Sequence, residues 1–252
     1  MTTRQGGVSQ APWGSLNLGM LSGDDLKSVQ QNRELVAQAM GVPAVYLRQV
    51  HSATGVPIDF STPANTEADA AWTTQKGLAC AMMAADCMPI LVCHPTVRWV
   101  AAAHAGWRGL AGEKGHGVVE TLAHAAQAQG LRVEDCLVWL GPCIGPSAFE
   151  VGEDVRAAFT KPEVLSSVLP SKIDAYQAMF APQSGQKYMA DLAGLARLRL
   201  QAAGFKQIFG NDSGLSWCTY SNAEKYHSHR RDAVARGGAG RLAAYVWIKP
   251  EA

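Results

Sequence analysis

Three reactive side chains stand at the ends of apolar runs. Cys87 follows Asp86 in AADCMPILV, between two hydrophobic stretches. His104 closes the run VAAAHA and opens the turn AGWRG, while His51 ends VYLRQVH. Sheets place reactive groups at strand ends. Two neutral imidazoles and a thiolate make a three-ligand Zn²⁺ site with a fourth position left for water. The same residues allow two other readings. Cys87 could be a nucleophile with His104 as its base, as in a Cys–His hydrolase or deamidase. Alternatively, each is a satisfied buried polar residue or a small core thiol. The three are far apart in sequence, so only the fold can decide whether they converge.

The segment YHSHRRDAVARGGAGR (226–241) gathers Arg230, Arg231, Arg236 and Arg241 with two His. Such a cluster could grip a phosphate or carboxylate bidentately, or it could be a solvated loop. It reads as too Gly-rich for a plain helix. Cys143, in the turn GPCIG, reads as a structural thiol ahead of a nucleophile, and His94, His116 and His124 as surface or helix-face residues. GLAGEKG (109–115) lacks the Gly-Lys-Ser/Thr of a phosphate loop, and GGAGR (237–241) does not match GxGxxG. The HxE…PCxxC pattern of zinc deaminases is absent.

These residues need strands and helices to position them. Asp24 or Asp25 can cap a helix ending at Met40, with Gly41 as its stop. Residues 45–51 read as a strand. Residues 78–85, 88–93 and 97–104 read as three short strands whose near-continuous apolar runs point to burial on both faces. A helix is expected over 110–129, a strand over 136–141, a helix over 188–203 and strands near 205–209 and 242–248. The segment 160–187 reads as a surface excursion. Helices and strands mix without a strict βαβ rhythm, which indicates one α+β domain with mixed sheets.

Composition narrows the function. In 252 residues, 22 Lys+Arg against 21 Asp+Glu give a charge of +1, a poor electrostatic match for nucleic acid or anionic membranes. Asp86 and Pro89 interrupt the richest apolar stretch, so no transmembrane helix is expected. The N-terminal MTTRQGGVSQ has no apolar core, and six Cys without a CxxC read as reduced thiols, so a cytoplasmic location is expected.

Six blocks in order, TRQGGVSQAPWGSLNLG, RQVHS, ADCMPILVCHP, AAAHAGWRGLAG, WLGPCIGPSAFEVG and CTYS…YHSHRRD…GR, resemble the laccase-domain, or YfiH-like, proteins. The resemblance implies a four-layer α/β/β/α sandwich related to the catalytic domain of cytotoxic necrotizing toxins, whose catalysis uses a Cys and a His. It implies His51, Cys87 and His104 as zinc ligands. It also implies phosphorolysis of adenosine, inosine, guanosine and methylthioadenosine, and deamination of adenosine. Copper-dependent polyphenol oxidation and a role in keeping wrong amino acids out of peptidoglycan precursors are the other activities described for such proteins. A multicopper cluster needs several H-x-H pairs, and the seven His of this chain supply one, His227-Ser228-His229. Cu²⁺ in the His/Cys/His set stays open.

Phosphorolysis demands a phosphate held near C1′, which suits Arg108, Arg230 or Arg231, with Asn17 as a further substrate-binding candidate. It also demands a proton or hydrogen bond on the leaving purine, for which Asp86 and Glu150 are candidates. Deamination instead needs a metal-activated water at C6. Purine nucleosides and phosphate are thus the expected partners, with a homodimer among the assemblies allowed.

Overall fold

The computed structural model describes residues 1–161 and 173–250. Asp25 opens α1 (Leu26–Met40) by accepting the Ser28 N–H on its side chain, and Gly41 closes it at φ 71°, a left-handed conformation free of Cβ clash in glycine. Strands β1 (Ala44–Tyr46), β2 (Gly55–Pro57), β3 (Ala70–Thr73), β4 (Ala79–Ala84), β5 (Met88–Cys93) and β6 (Val100–Ala105) follow. β1 stops short of the expected end at residue 51. Two helices, α2 (Trp107–Ala111) and α3 (Val118–Ala128), replace the single one expected over 110–129. Gly112 lies between them at φ 65°, pressed so closely on the His116 carbonyl that a Cβ would collide.

Next come β7 (Leu137–Leu140), β8 (Glu150–Gly152), α4 (Glu153–Thr160), α5 (Ile173–Ala178), β9 (Phe180–Pro182), β10 (Lys187–Ala190) and α6 (Leu192–Ala202). Within the excursion expected over 160–187, residues 162–172 lie outside the described residues. The rest carries α5 and β9, with Tyr176 and Phe180 buried. α6 starts later than residue 188 because the first residues pair as β10 and Asp191 then caps the helix through the Gly194 N–H at 2.8 Å. β11 (Gln207–Gly210), α7 (His229–Arg236) and β12 (Leu242–Trp247) complete the order. Helix α7 forms where a loop was one reading, because its glycines all lie beyond Arg236. Ser228 caps it, and Gly237 ends it at φ 73°.

The strands build a mixed sheet in the order β1-β4-β12, a mixed sheet in the order β11-β7-β5-β6-β3-β2, and a small antiparallel sheet β8-β10-β9. The first two stack face to face. Cys80 and Met82 of β4 meet Val100 and Ala102 of β6 in the seam between them. The period of two sends Ala101, Ala103 and Ala105 of β6 to the opposite face, against α3 and α6. Val36 and Met40 of α1 cover the outer face of the three-stranded sheet. The result is α/β/β/α, and β6 is buried along its whole length. Its alanines suit a central strand with layers close on both sides.

His227, just before the cap of α7, is fully buried with no hydrogen-bond partner at either ring nitrogen. Burial, joined by the positive Arg4, pushes its pKa down to about 3. The fold therefore keeps His227 neutral, whereas the unfolded chain protonates it near pH 6.5. Stability is full above that pH and falls as pH drops toward the folded value. Against His227→Gln, the wild type should lose on the order of 3 kcal/mol more stability between about pH 6.5 and pH 4. Denaturant melts at the two pH values check this, and equal losses would contradict it.

Candidate metal centre

The three candidate ligands meet at one end of the two-sheet stack, His51 and Cys87 from connections and His104 from the end of β6. After β1, the Gln49 side chain ties the chain to Met83 of β4 through two bonds of 2.8 Å. The backbone then turns, with His51 at φ 61°. Asp69, fully buried just before β3, nests this turn: its carboxylate accepts the N–H groups of Val50, His51 and Ser52 at 3.1, 3.0 and 2.7 Å. The same carboxylate lies 2.8 Å from His104 Nδ1, and the Asp69 carbonyl accepts the His104 N–H at 2.7 Å. That leaves His104 Nε2 to face the centre. Cys87 sits in the β4–β5 turn, where Asp86 takes φ 85°.

Cys87 Sγ lies 3.8 Å from His51 Nε2. The rings of His51 and His104 stand 4.8 Å apart at 76°, and one ligand atom from each of the three residues lies within 4.8 Å of the others. Donors bonded tetrahedrally to one zinc ion lie roughly 3.5 Å apart, so the set fits such an ion with small adjustments. Gly106 keeps the space open, since a Cβ there would stand 2.9 Å from Cys87 Sγ and 3.0 Å from His51 Cδ2. Burial raises the Cys87 pKa, but the positive His104 and bonds from both His outweigh it and hold the thiol below its usual range. Burial lowers that of His104, and Cys87 and Asp69 outweigh it in the opposite direction. Without metal the two form a thiolate–imidazolium pair.

Of the other expected site residues, Asp86 precedes Cys87 in the same turn, and Arg230 links it to the backbone of Glu150. The Asp86 carboxylate accepts the Thr219 hydroxyl at 2.6 Å and the Arg230 N–H at 2.7 Å, which docks the N-terminus of α7 against the β4–β5 turn. Arg230 Nη1 donates to the Glu150 carbonyl at 3.1 Å. Arg108, exposed two residues after Gly106, has its guanidinium 4.3 Å from the centroid of the Trp107 ring.

Two expectations need correction. All five N–H groups of the Arg231 guanidinium are engaged by the carbonyls of Thr219, Tyr220 and Tyr226 and by Asp232, so this residue ties a loop to α7 and has no donor left for an anion. Asn17 is fully buried, bonded to Ser22, Asp24, Gly19 and Arg241, and serves as scaffold. Cys143 is buried, and burial pushes its thiol well above the usual range, so it behaves as the structural thiol expected. Asp69 was not among the expected site residues. Its signal, a lone carboxylate just before an apolar strand, is the one that marks Asp86.

Residues 1–249 match the family described as multi-copper polyphenol oxidoreductase laccase. The chain belongs to that family. Among its relatives, purine nucleoside phosphorylase PA4543 of Pseudomonas aeruginosa is 40% identical over 249 residues, with 99% of this chain and 92% of that one covered. Purine nucleoside phosphorylase YfiH of Escherichia coli is 41% identical over 250 residues, covering 98% and 92%. Among solved structures, protein NMB0706 of Neisseria meningitidis superposes with a TM-score of 0.84 at 38% identity, covering 99% and 93%. YlmD of Geobacillus stearothermophilus gives 0.85 at 30%, covering 99% and 90%. The laccase-family fold thus extends over the whole described chain. No helix among the described residues is long and apolar enough to cross a membrane.

Proposed function

We propose that this chain is a zinc-dependent purine nucleoside phosphorylase. It acts on adenosine, inosine, guanosine and methylthioadenosine, and also deaminates adenosine. The observation that carries this reading is the convergence of His51, Cys87 and His104 beside Asp86 and Arg230, in a chain whose relatives bear the phosphorylase name. Among the described residues this is the one group of three ligands, which argues for a single ion and against a multicopper cluster. Bound by these residues, zinc supplies a Lewis acid that can polarise a substrate oxygen or activate water.

The protein's own groups perform the rest. Phosphate displaces the purine at C1′, and a cationic side chain holds the oxyanion in line, with Arg230 and Arg108 as candidates at the rim. Asp86 handles the proton on the leaving purine at N7, with Glu150 the second candidate. For deamination the purine C6 must turn toward the His51, Cys87 and His104 side of the site, where water would add and ammonia leave, with the same carboxylate passing the water proton to the departing amine.

The test is purine release from inosine by the zinc-loaded chain, with and without inorganic phosphate. Release that requires phosphate and yields pentose 1-phosphate supports the reading, and release at equal rates without phosphate refutes it. Asp86→Asn should keep its zinc yet lose about 10²–10⁴-fold in kcat. A fully active variant would move the proton to Glu150.

One feature of the centre favours a second reading. Asp69, His104 and Cys87 line up as acid, imidazole and thiolate, the set used by Cys–His hydrolases. In that case chelation should activate the enzyme, whereas the zinc reading requires that chelation silence it.

A further inference from the structure

Arg241 begins the return into β12, where Leu242 pairs with Ala84. The antiparallel register therefore sets Arg241 opposite Ala85, one residue from Asp86 and two from Cys87. Its backbone is fixed from the N-terminal loop: its N–H donates to Asn17 Oδ1 at 2.8 Å, and its carbonyl accepts the Leu18 N–H at 3.1 Å. Its side chain lies along Gly19, where a Cβ would stand 2.6 Å from Arg241 Cγ. One edge of the guanidinium is anchored, with Nη1 donating to the carbonyls of Ala239 and Gly240 at 2.7 and 3.3 Å. Nε and Nη2 make no hydrogen bond within the described residues and keep access to solvent. Burial lowers the guanidinium's pKa while the charges of Cys87 and Asp86 act to raise it, which places the cation within electrostatic reach of both.

This is a built fork. Anchoring one nitrogen removes rotamer freedom, and the free Nε–Nη2 edge matches the spacing of two oxyanion oxygens. We infer that Arg241 is the residue that holds the phosphate beside the metal centre, with Asn17 and Gly19 shaping its cradle. The inference rests on the phosphorolysis reading for its ligand. It also gives Asn17 a role in the site, as the support of a binding residue. Arg231 has no free donor, and Arg230 and Arg108 are exposed, so of these four Arg241 combines partial burial with an open donor edge.

The experiment uses the zinc-loaded full chain and inorganic phosphate as the probe, with binding followed by calorimetry and turnover on inosine measured in parallel. Arg241→Gln should raise the phosphate Kd and the phosphate KM about 10–100-fold, the range expected for losing hydrogen bonds to a charged group, with bound zinc and the inosine KM unchanged. Arg241→Lys keeps the charge but not the fork and should also bind phosphate more weakly, so it carries the test if the Gln variant does not fold. Phosphate affinity equal to wild type in the folded variants would overturn the inference and make Arg241 a mere counter-charge to Cys87 and Asp86. So would a wild type that binds no phosphate. The two proposals can fail separately. Phosphate binding that depends on Arg241, with purine release indifferent to phosphate, would sink phosphorolysis and leave the Arg241 site. Phosphorolysis with an unchanged phosphate KM in both variants would do the reverse.

Discussion

Cys87→Ser should lose metal and activity together. A serine hydroxyl stays protonated at neutral pH and is a harder donor than thiolate, so it is a poor third ligand for zinc. The zinc affinity should fall by more than the ~10–100-fold typical of losing an outer-shell partner, and turnover should fall in step with bound metal. Metal analysis after dialysis against a chelator, paired with kcat, reads both. A Ser variant that keeps a full complement of zinc but has no activity would make Cys87 a nucleophile. One that keeps both would reduce it to a core thiol.

The second large effect belongs to Asp69. This carboxylate fixes the His104 tautomer and the turn that carries His51, so it positions two of the three ligands at once. Asp69→Asn keeps the size but loses the charge, and zinc affinity should drop about 10–100-fold. Asp69→Ala would in addition strand three backbone N–H groups and His104 Nδ1, at a cost of about 3 kcal/mol or more in stability. The readouts are zinc affinity by competition with a chelating dye and the nitrogen chemical shifts of His104, which report the tautomer. Unchanged affinity and an unchanged tautomer in Asp69→Asn would remove Asp69 from the site.

The candidate ligands could be singled out in the sequence as reactive side chains at the ends of apolar runs, although only His104 ends a strand, while Cys87 sits in a turn and His51 is exposed beyond β1. Their convergence was not legible, since it depends on the β5–β6 pairing and on the left-handed turns at His51 and Asp86. The α+β class with mixed sheets followed from strands apolar on both sides and helices mixed among them, whereas the α/β/β/α layer order was implied only by the family resemblance.

Which arginine keeps free donors is not legible in the sequence, for a different reason. Arg231 and Arg241 look alike in sequence, but carbonyls of Thr219, Tyr220 and Tyr226 engage one, and the Asn17 loop, more than 200 residues away, frames the other. No local pattern encodes which carbonyls a guanidinium will meet. Helix 110–129 was read as continuous because its apolar period continues across Gly112, and only the close approach of the His116 carbonyl shows the break.

The proposed activity rests on one ion held by His51, Cys87 and His104 that drives phosphorolysis. Its most direct test is a zinc titration of the chelator-stripped chain in the presence of inosine and phosphate, counting hypoxanthine and pentose 1-phosphate. The rate is expected to rise with bound zinc, saturate at about one ion per chain, and yield the two products in equal amounts. Full phosphorolysis by the stripped chain, or a rate that climbs only with further ions, would contradict it.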